Sequence, residues 1–167
     1  MVTPTSTTPL FDSLVIETKG KRRVPNEFGK PQRPRQSMDA AWDAFRQHWP
    51  NLQRRSADST YNCYGLAFAN RRTAVTDTAL PIIFQDDGYR VITRTNALPG
   101  DVVVYRDQGD NITHVAIVLQ RRLVISEDQD DLVVVSQWGF DGEYIHPASE
   151  VPLQYGSARE IWTERRI

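Results

Sequence analysis

Residues 112–119 read ITHVAIVL, and this stretch decides the fold class because it is β-branched, apolar and too short for a core helix. Working outward, DVVVY at 101–105 precedes it and LVVVSQW at 132–138 follows it, and both have the same character. Shorter candidate strands lie at 89–92, 123–125, 144–145 and 159–163. Because short turn sequences separate these runs, the pattern predicts an antiparallel sheet.

Helical patterns come before this sheet in the chain. Ser37 is a suitable N-cap, and apolar residues recur at helical spacing from Ala41 until Pro50 ends the run. A second helix is predicted near residues 62–70 and a short third helix near 79–85. Helices followed by antiparallel strands predict an α+β domain, in which the N-terminal helices pack on one face of a central antiparallel sheet.

Residues 1–36 differ in composition from the rest of the chain. They hold five of the ten prolines and carry seven basic against three acidic side chains. Because such a segment buries little apolar surface, we predict a flexible, basic-leaning tail at 1–36 and a folded domain at 37–167. The apolar run at 14–16 leaves open one short added strand.

Composition excludes several classes of protein. The 167 residues carry a net charge of −1, which argues against a dedicated nucleic-acid binder, and no apolar run is long enough for membrane insertion. The single cysteine, Cys63, excludes an internal disulfide and a cysteine-rich metal centre, and neither metal nor cofactor is expected. The first residues lack a secretory signal, which predicts a cytoplasmic location in the producing cell or export by a dedicated secretion system.

Cys63 lies in TYNCYGLA, where Asn62 or Thr60 is a candidate cap for a helix that contains the thiol in its first turn. The start of a helix carries partial positive charge and unpaired N–H groups, which stabilise a thiolate and the oxyanion formed by its attack on a carbonyl. The alternative is a small buried side chain that only packs.

His114 is the one polar ring in ITHVAIVL. A cysteine followed some fifty residues later by a strand histidine is the arrangement of a cysteine hydrolase, whereas the alternative is a buried histidine with a backbone partner. A third polar group must hold the imidazole. Ser136 and Gln137 point to opposite faces of the next strand, so only one of them can face His114, and His146 lies after the following turn.

Four segments together resemble the papain-like cysteine hydrolases of the NlpC and CHAP type, which are mainly bacterial cell-wall amidases and endopeptidases. The segments are YNCYGLAFA, LPGDVVVYRD, ITHVAIVL and VVVSQWGFDGEYIHP, and the resemblance covers about residues 59–138. It implies a papain-like fold with Cys63 as nucleophile, His114 as general base and Gln137 as the orienting group. Ser136 and His146 remain alternatives for that third role.

Aromatic and amide side chains flank these residues. Asn62, Tyr61 and Tyr64 are candidates to bind the oxyanion or substrate, although each tyrosine fits a packing role equally well. Trp138 is a candidate wall of a substrate groove or a core residue.

Three functions follow as hypotheses. The first is a hydrolase that cleaves amide bonds in peptidoglycan or another peptide, acting as a bacterial secreted effector or toxin with an immunity protein as its inhibitor. The second keeps the same residues for deamidation or acyl transfer on a target protein. The third is a non-catalytic papain-like binding module in which Cys63 is merely buried; rapid alkylation of Cys63 at mildly acidic pH would count against it.

Overall fold

The computed structural model describes residues 14–27, 32–122 and 132–166. In these ranges the helices are α1 (Arg35–His48), α2 (Cys63–Phe68) and α3 (Leu80–Asp86). The strands are β1 (Asn26–Glu27), β2 (Gln53–Ser56), β3 (Ala74–Val75), β4 (Arg90–Ile92), β5 (Val102–Arg106), β6 (Ile112–Arg121), β7 (Leu132–Gln137), β8 (Glu143–Pro147) and β9 (Ser157–Thr163). None of the described helices is long and apolar enough to cross a membrane.

Seven of these strands form one antiparallel sheet in the order β2-β8-β7-β6-β5-β9-β4. The long β-branched strands β5, β6 and β7 occupy its centre, where both faces are covered. A separate two-stranded ladder joins β1 to β3. The chain is therefore a mixed helix and strand protein with a large antiparallel sheet and few helices, which confirms the α+β class.

The two faces of the sheet carry different cores. On the first face Val104 and Val115 pack with Cys63 of α2 and with Leu80 of α3. On the second face Tyr105, Ala116 and Val134 belong to another cluster. Because side chains alternate along a strand, neighbouring residues of β6 contribute to opposite cores.

Helix α1 packs against the second face, so the expectation that the helices share one face is wrong. Its Trp42 and Phe45 contact Tyr144, which alternates with Ile145 along β8, and Ile145 packs near α2. The amphipathic pattern of α1 predicts an apolar stripe, but such a stripe does not specify which face of the sheet it covers.

The boundaries of several elements match their sequence patterns. α1 begins two residues before Ser37, and α2 and α3 lie within or beside their predicted ranges. β2 and the β1–β3 ladder were not predicted, because strands of two to four polar or small residues have no readable alternation. The candidate strand at 123–125 lies outside the described residues.

Part of the segment predicted as a tail packs on the body of the protein. Val24 is 3% exposed, β1 pairs with β3, and both Thr18 and Arg22 bond to Asp86 at the end of α3. These contacts depend on partners distant in sequence, so the composition of the segment did not reveal them. Residues 14–27 therefore help to build the region around α2.

Candidate active site

Asn62 fixes the start of α2. Its side-chain oxygen accepts a hydrogen bond from the Gly65 N–H at 2.9 Å, as an N-cap does. The same side chain exchanges two hydrogen bonds with the backbone of Val75 in β3, at 2.8 and 3.1 Å. Asn62 thus anchors the first turn, and with it Cys63, to the neighbouring strand. Gly65 is required here because a Cβ would lie 1.9 Å from the carbonyl oxygen of Thr73.

Cys63 is the first helical residue of α2, and the residue is 8% exposed. Burial raises the pKa of the thiol to about 11, against the weaker opposing effect of the backbone N–H groups of Val115, Tyr64 and Cys63 itself. The N–H groups expected at a helix start are therefore present. Because burial outweighs them, the resting sulfur is a thiol rather than a thiolate at neutral pH.

His114 lies in the first half of β6 and is fully buried. Its ring stacks on Tyr155, with centroids 4.1 Å apart and planes 12° apart, and Tyr105 lies beside it. Burial, and next the charge of His146, hold the pKa of His114 well below its usual range. Within the described residues neither imidazole nitrogen has a hydrogen-bond partner.

Cys63 lies against the residue that follows His114, and the two side chains form no hydrogen bond with each other. Val115, whose N–H faces the Cys63 sulfur, directly follows His114 on β6. Tyr155 stacks on His114, and its pKa is raised by burial and next by the charge of Cys63. The alternation of β6 nevertheless turns His114 to the second face, while Cys63 packs with Val115 on the first.

Gln137, expected to orient His114, lies on the other face of the sheet. Its alternation with Ser136 places it with Val135, on the face that α2 covers. Its amide nitrogen donates to the Asp58 carbonyl at 2.7 Å, and its oxygen has no partner among the described residues. Gln137 therefore supports the loop before Cys63 and does not contact the imidazole.

Ser136 occupies the face that His114 shares, and it bonds to His146. Since His146 Nδ1 faces the Pro147 carbonyl at 2.8 Å, that nitrogen carries the proton and Nε2 accepts from Ser136 Oγ at 2.8 Å. Trp138 Nε1 also donates to Ser136 Oγ at 3.0 Å. The one hydroxyl proton of Ser136 is therefore donated to His146. Burial lowers the pKa of His146 to about 4.

The remaining candidates take structural positions. Tyr61 is 2% exposed and donates its hydroxyl proton to Glu143, so that proton is not free for an oxyanion. Tyr64 donates to the Ile112 carbonyl at 3.2 Å and ties α2 to the start of β6. Trp138 is 1% exposed and packs against Phe45 of α1, which makes it a core residue rather than a groove wall.

Glu143 is a buried carboxylate that the sequence patterns did not single out. It accepts from Tyr61 at 2.8 Å, from Arg71 at 2.7 and 3.1 Å, and from Arg55 at 3.0 Å. These partners hold its pKa below the usual range, although burial, the largest single effect, acts in the opposite direction. β8 shows too short an alternation for its buried face to be predicted, so Glu143 resembled an ordinary turn residue.

A cleft of about 580 Å³ opens beside the start of α2. Asn62 and Tyr64 line it from α2, Ile112 and Thr113 from β6, and residues 74–77 and 154–155 form further walls. Its volume falls in the range of ligand-binding pockets. No group of three or more His, Cys, Asp and Glu side chains among the described residues is arranged to hold a metal ion.

Comparisons of the chain with family models, with curated proteins and with solved structures found no match.

Proposed function

We propose that the protein is a papain-like cysteine hydrolase that cleaves amide bonds in peptides, with peptidoglycan peptides as the first substrates to test. The observation that carries this proposal is the imidazole of His114, fully buried and without a hydrogen-bond partner among the described residues, one position before the Val115 N–H that faces the Cys63 sulfur. A buried polar group without a partner costs about 1–3 kcal/mol. Such a group requires an explanation, and a catalytic role is one that accounts for it.

In this mechanism the resting pair is uncharged. The pKa of Cys63 is raised and that of His114 is lowered, so the thiol keeps its proton and the imidazole is free to accept one. Because His114 and Cys63 lie on opposite faces of the sheet, proton transfer then requires a local change of the β6 backbone at His114 that turns the imidazole toward the sulfur when substrate enters. Hydrogen bonds of catalytic pairs often close only in the complex.

The chemical steps follow from that pair. His114 takes the thiol proton as the Cys63 sulfur attacks the substrate carbonyl carbon, and the N–H groups near the sulfur stabilise the oxyanion. His114 then gives the proton to the departing amine, which leaves a thioester on Cys63. Water hydrolyses the thioester, with His114 as the base, and releases the acid product and the free thiol.

The arrangement of elements supports a papain-like fold within this proposal. The cysteine begins a helix that packs on an antiparallel sheet, and the histidine strand and the Ser136 strand are its neighbouring central strands. A cell-wall substrate would make the enzyme a bacterial effector or toxin, and a producing cell would then need an inhibitory immunity protein.

Incubation of the protein with purified peptidoglycan and with peptide mixtures, followed by mass spectrometry of the products, tests the proposal. We expect new peptide termini with the wild type, none with Cys63→Ala, and a loss of about 100-fold or more in rate with His114→Ala. His48→Ala is the matched control, because His48 is exposed on α1, and it should leave the rate unchanged. Cleavage by Cys63→Ala would end the proposal, and a gain of one dalton on a target without new termini would replace hydrolysis by deamidation.

A non-catalytic binding module is the second candidate function. The observation that favours it is the buried Cys63 thiol, with its raised pKa and no hydrogen bond to His114. Absence of products with both the wild type and Cys63→Ala, together with peptide binding by both, would support this module over the hydrolase.

A further inference from the structure

The cleft beside α2 combines acidic and aromatic side chains. Glu27 of β1 and Asp77, which follows β3, both line it and are exposed. Tyr64, Phe140 and Tyr155 line the same space. No lysine, arginine or histidine is among the described residues that form its walls.

The two carboxylates are available to a ligand. Neither Glu27 nor Asp77 forms an ion pair with a basic side chain in the described part of the chain. The charge of Asp77 acts on Tyr64, which lines the cleft. Burial raises the pKa of Tyr64, and the charges of Cys63 and Asp77 raise that pKa further. A cation that enters the cleft would therefore meet negative charge and not have to displace a basic side chain of the described residues.

The aromatic walls fit the same type of ligand. An ammonium or guanidinium group is attracted to an aromatic ring as well as to a carboxylate. A carboxylate ligand would instead be repelled by Glu27 and Asp77. The two carboxylates thus favour positive over negative charge, and the aromatic side chains offer apolar surface to the hydrocarbon stem of a long amine.

We infer that this cleft binds a peptide segment that carries a positively charged amine, and that Glu27 and Asp77 are the residues that select it. The inference deepens the proposed function and rests on it, because the cleft lies at the start of the helix that carries Cys63. The bond to be cleaved would lie within a few residues of the amine-bearing side chain or terminus.

Binding of matched peptides to the Cys63→Ala variant tests the inference without requiring catalysis. The probes are three acetylated and amidated tripeptides, Ala-Lys-Ala, Ala-norleucine-Ala and Ala-Glu-Ala, titrated by calorimetry at low salt. We expect the lysine peptide to bind about tenfold more tightly than the norleucine peptide, with the glutamate peptide weakest, and salt to reduce the difference.

Substitutions then identify the carboxylates. Adding Glu27→Gln and Asp77→Asn together should reduce the preference for lysine to about twofold or less. These changes keep side-chain shape, and the amide oxygen introduced by Asp77→Asn can still accept the hydrogen bond that the Thr78 N–H donates to Asp77. Asp43→Asn, on the exposed surface of α1, is the matched control and should leave the preference intact.

The outcomes separate the inference from the proposed function. Equal binding of the lysine and norleucine peptides, a preference that survives the double substitution, or no binding of any probe would overturn the inference. Selective binding of the lysine peptide, combined with absence of hydrolysis by the wild type, would retain the cleft as a cation-selective peptide site and remove the hydrolase.

Discussion

Cys63 and His114 illustrate how a strand can bring two groups close and still keep them apart. The Cys63 sulfur meets the Val115 N–H, one residue from His114, yet the imidazole points to the other face. Tyr155 stacks on that imidazole and also lines the cleft, so it separates His114 from the cleft. Closure of the proposed pair therefore requires movement of Tyr155 and a change of the β6 backbone at His114.

Alkylation of Cys63 by iodoacetamide reports on this resting state. Because burial raises the pKa of the thiol to about 11, we expect slow alkylation at pH 6–7 and a rate that rises about tenfold per pH unit up to about pH 10. His114→Ala should leave this profile unchanged. Fast alkylation at pH 5–6 that His114→Ala abolishes would instead show a thiolate–imidazolium pair in the free protein.

The sequence identified which polar residues lie near this site but not all the contacts of their side chains. Alternation alone predicts that Ser136 and Gln137 face opposite ways, and the structure confirms this. Which of them shares a face with His114 depends on how β6 pairs with β7. The pairing of these two strands shifts between Val118 and Gln120 of β6. Such a local shift has no signature in an apolar strand, so Gln137 was assigned to the wrong face.

At the scale of elements, β7 and β8 hold the loop that precedes α2. Gln137 and Glu143 are paired across these strands; Gln137 binds the Asp58 backbone, and Glu143 binds the Tyr61 hydroxyl. The other end of α2 is bound less directly, through Arg71 to the same Glu143. The sheet therefore positions the helix that begins with Cys63 by polar contacts at one strand pair.

Replacement of Glu143 by glutamine tests this role. The Glu143→Gln variant would set an amide N–H₂ group against the donors of Tyr61 and Arg71, so we expect a loss of about 2 kcal/mol in the free energy of unfolding. We also expect faster hydrogen exchange of the amides at residues 61–64. Asp101→Asn is the matched control, because Asp101 is also buried and paired with an arginine, Arg165, far from this loop.

The control should lose comparable stability while exchange at residues 61–64 stays near that of the wild type. Equal acceleration of exchange in both variants would mean that Glu143 contributes only to global stability.

For the whole molecule, two histidines lie on the second face of the sheet and are buried uncharged. The pKa of His146 is lowered to about 4, and that of His114 lies well below its usual value. An unfolded chain therefore binds more protons than the folded one below about pH 6.5. Their contribution to stability is fully present above that pH and is lost as the pH falls toward the lowered folded values.

Denaturation by urea at pH 7 and at pH 5 measures this effect. His146 alone should make the free energy of unfolding about 2 kcal/mol lower at pH 5 than at pH 7. His146→Gln should reduce the pH dependence by about that amount, although the variant is less stable overall. His48→Gln, which changes an exposed histidine, should behave as the wild type. If the free energy of unfolding of His146→Gln changed between pH 7 and pH 5 as much as that of the wild type, His146 would not be buried as a neutral imidazole.

The sequence by itself determined the α+β class, the three central strands and the start of α2, because these depend on local periodicity and residue chemistry. Residue chemistry likewise led to the proposal of Cys63 and His114 as a catalytic pair. Only the tertiary structure decided that α1 covers the second face, that residues 14–27 pack on the body, that Ser136 and not Gln137 shares a face with His114, and that Glu143 supports the Cys63 loop. Each of these depends on strand register or on contacts between distant segments, and neither is encoded in a single stretch of the chain. The acidic cleft arises in the same way, since Glu27 and Asp77 line one cleft only because β1 pairs with β3.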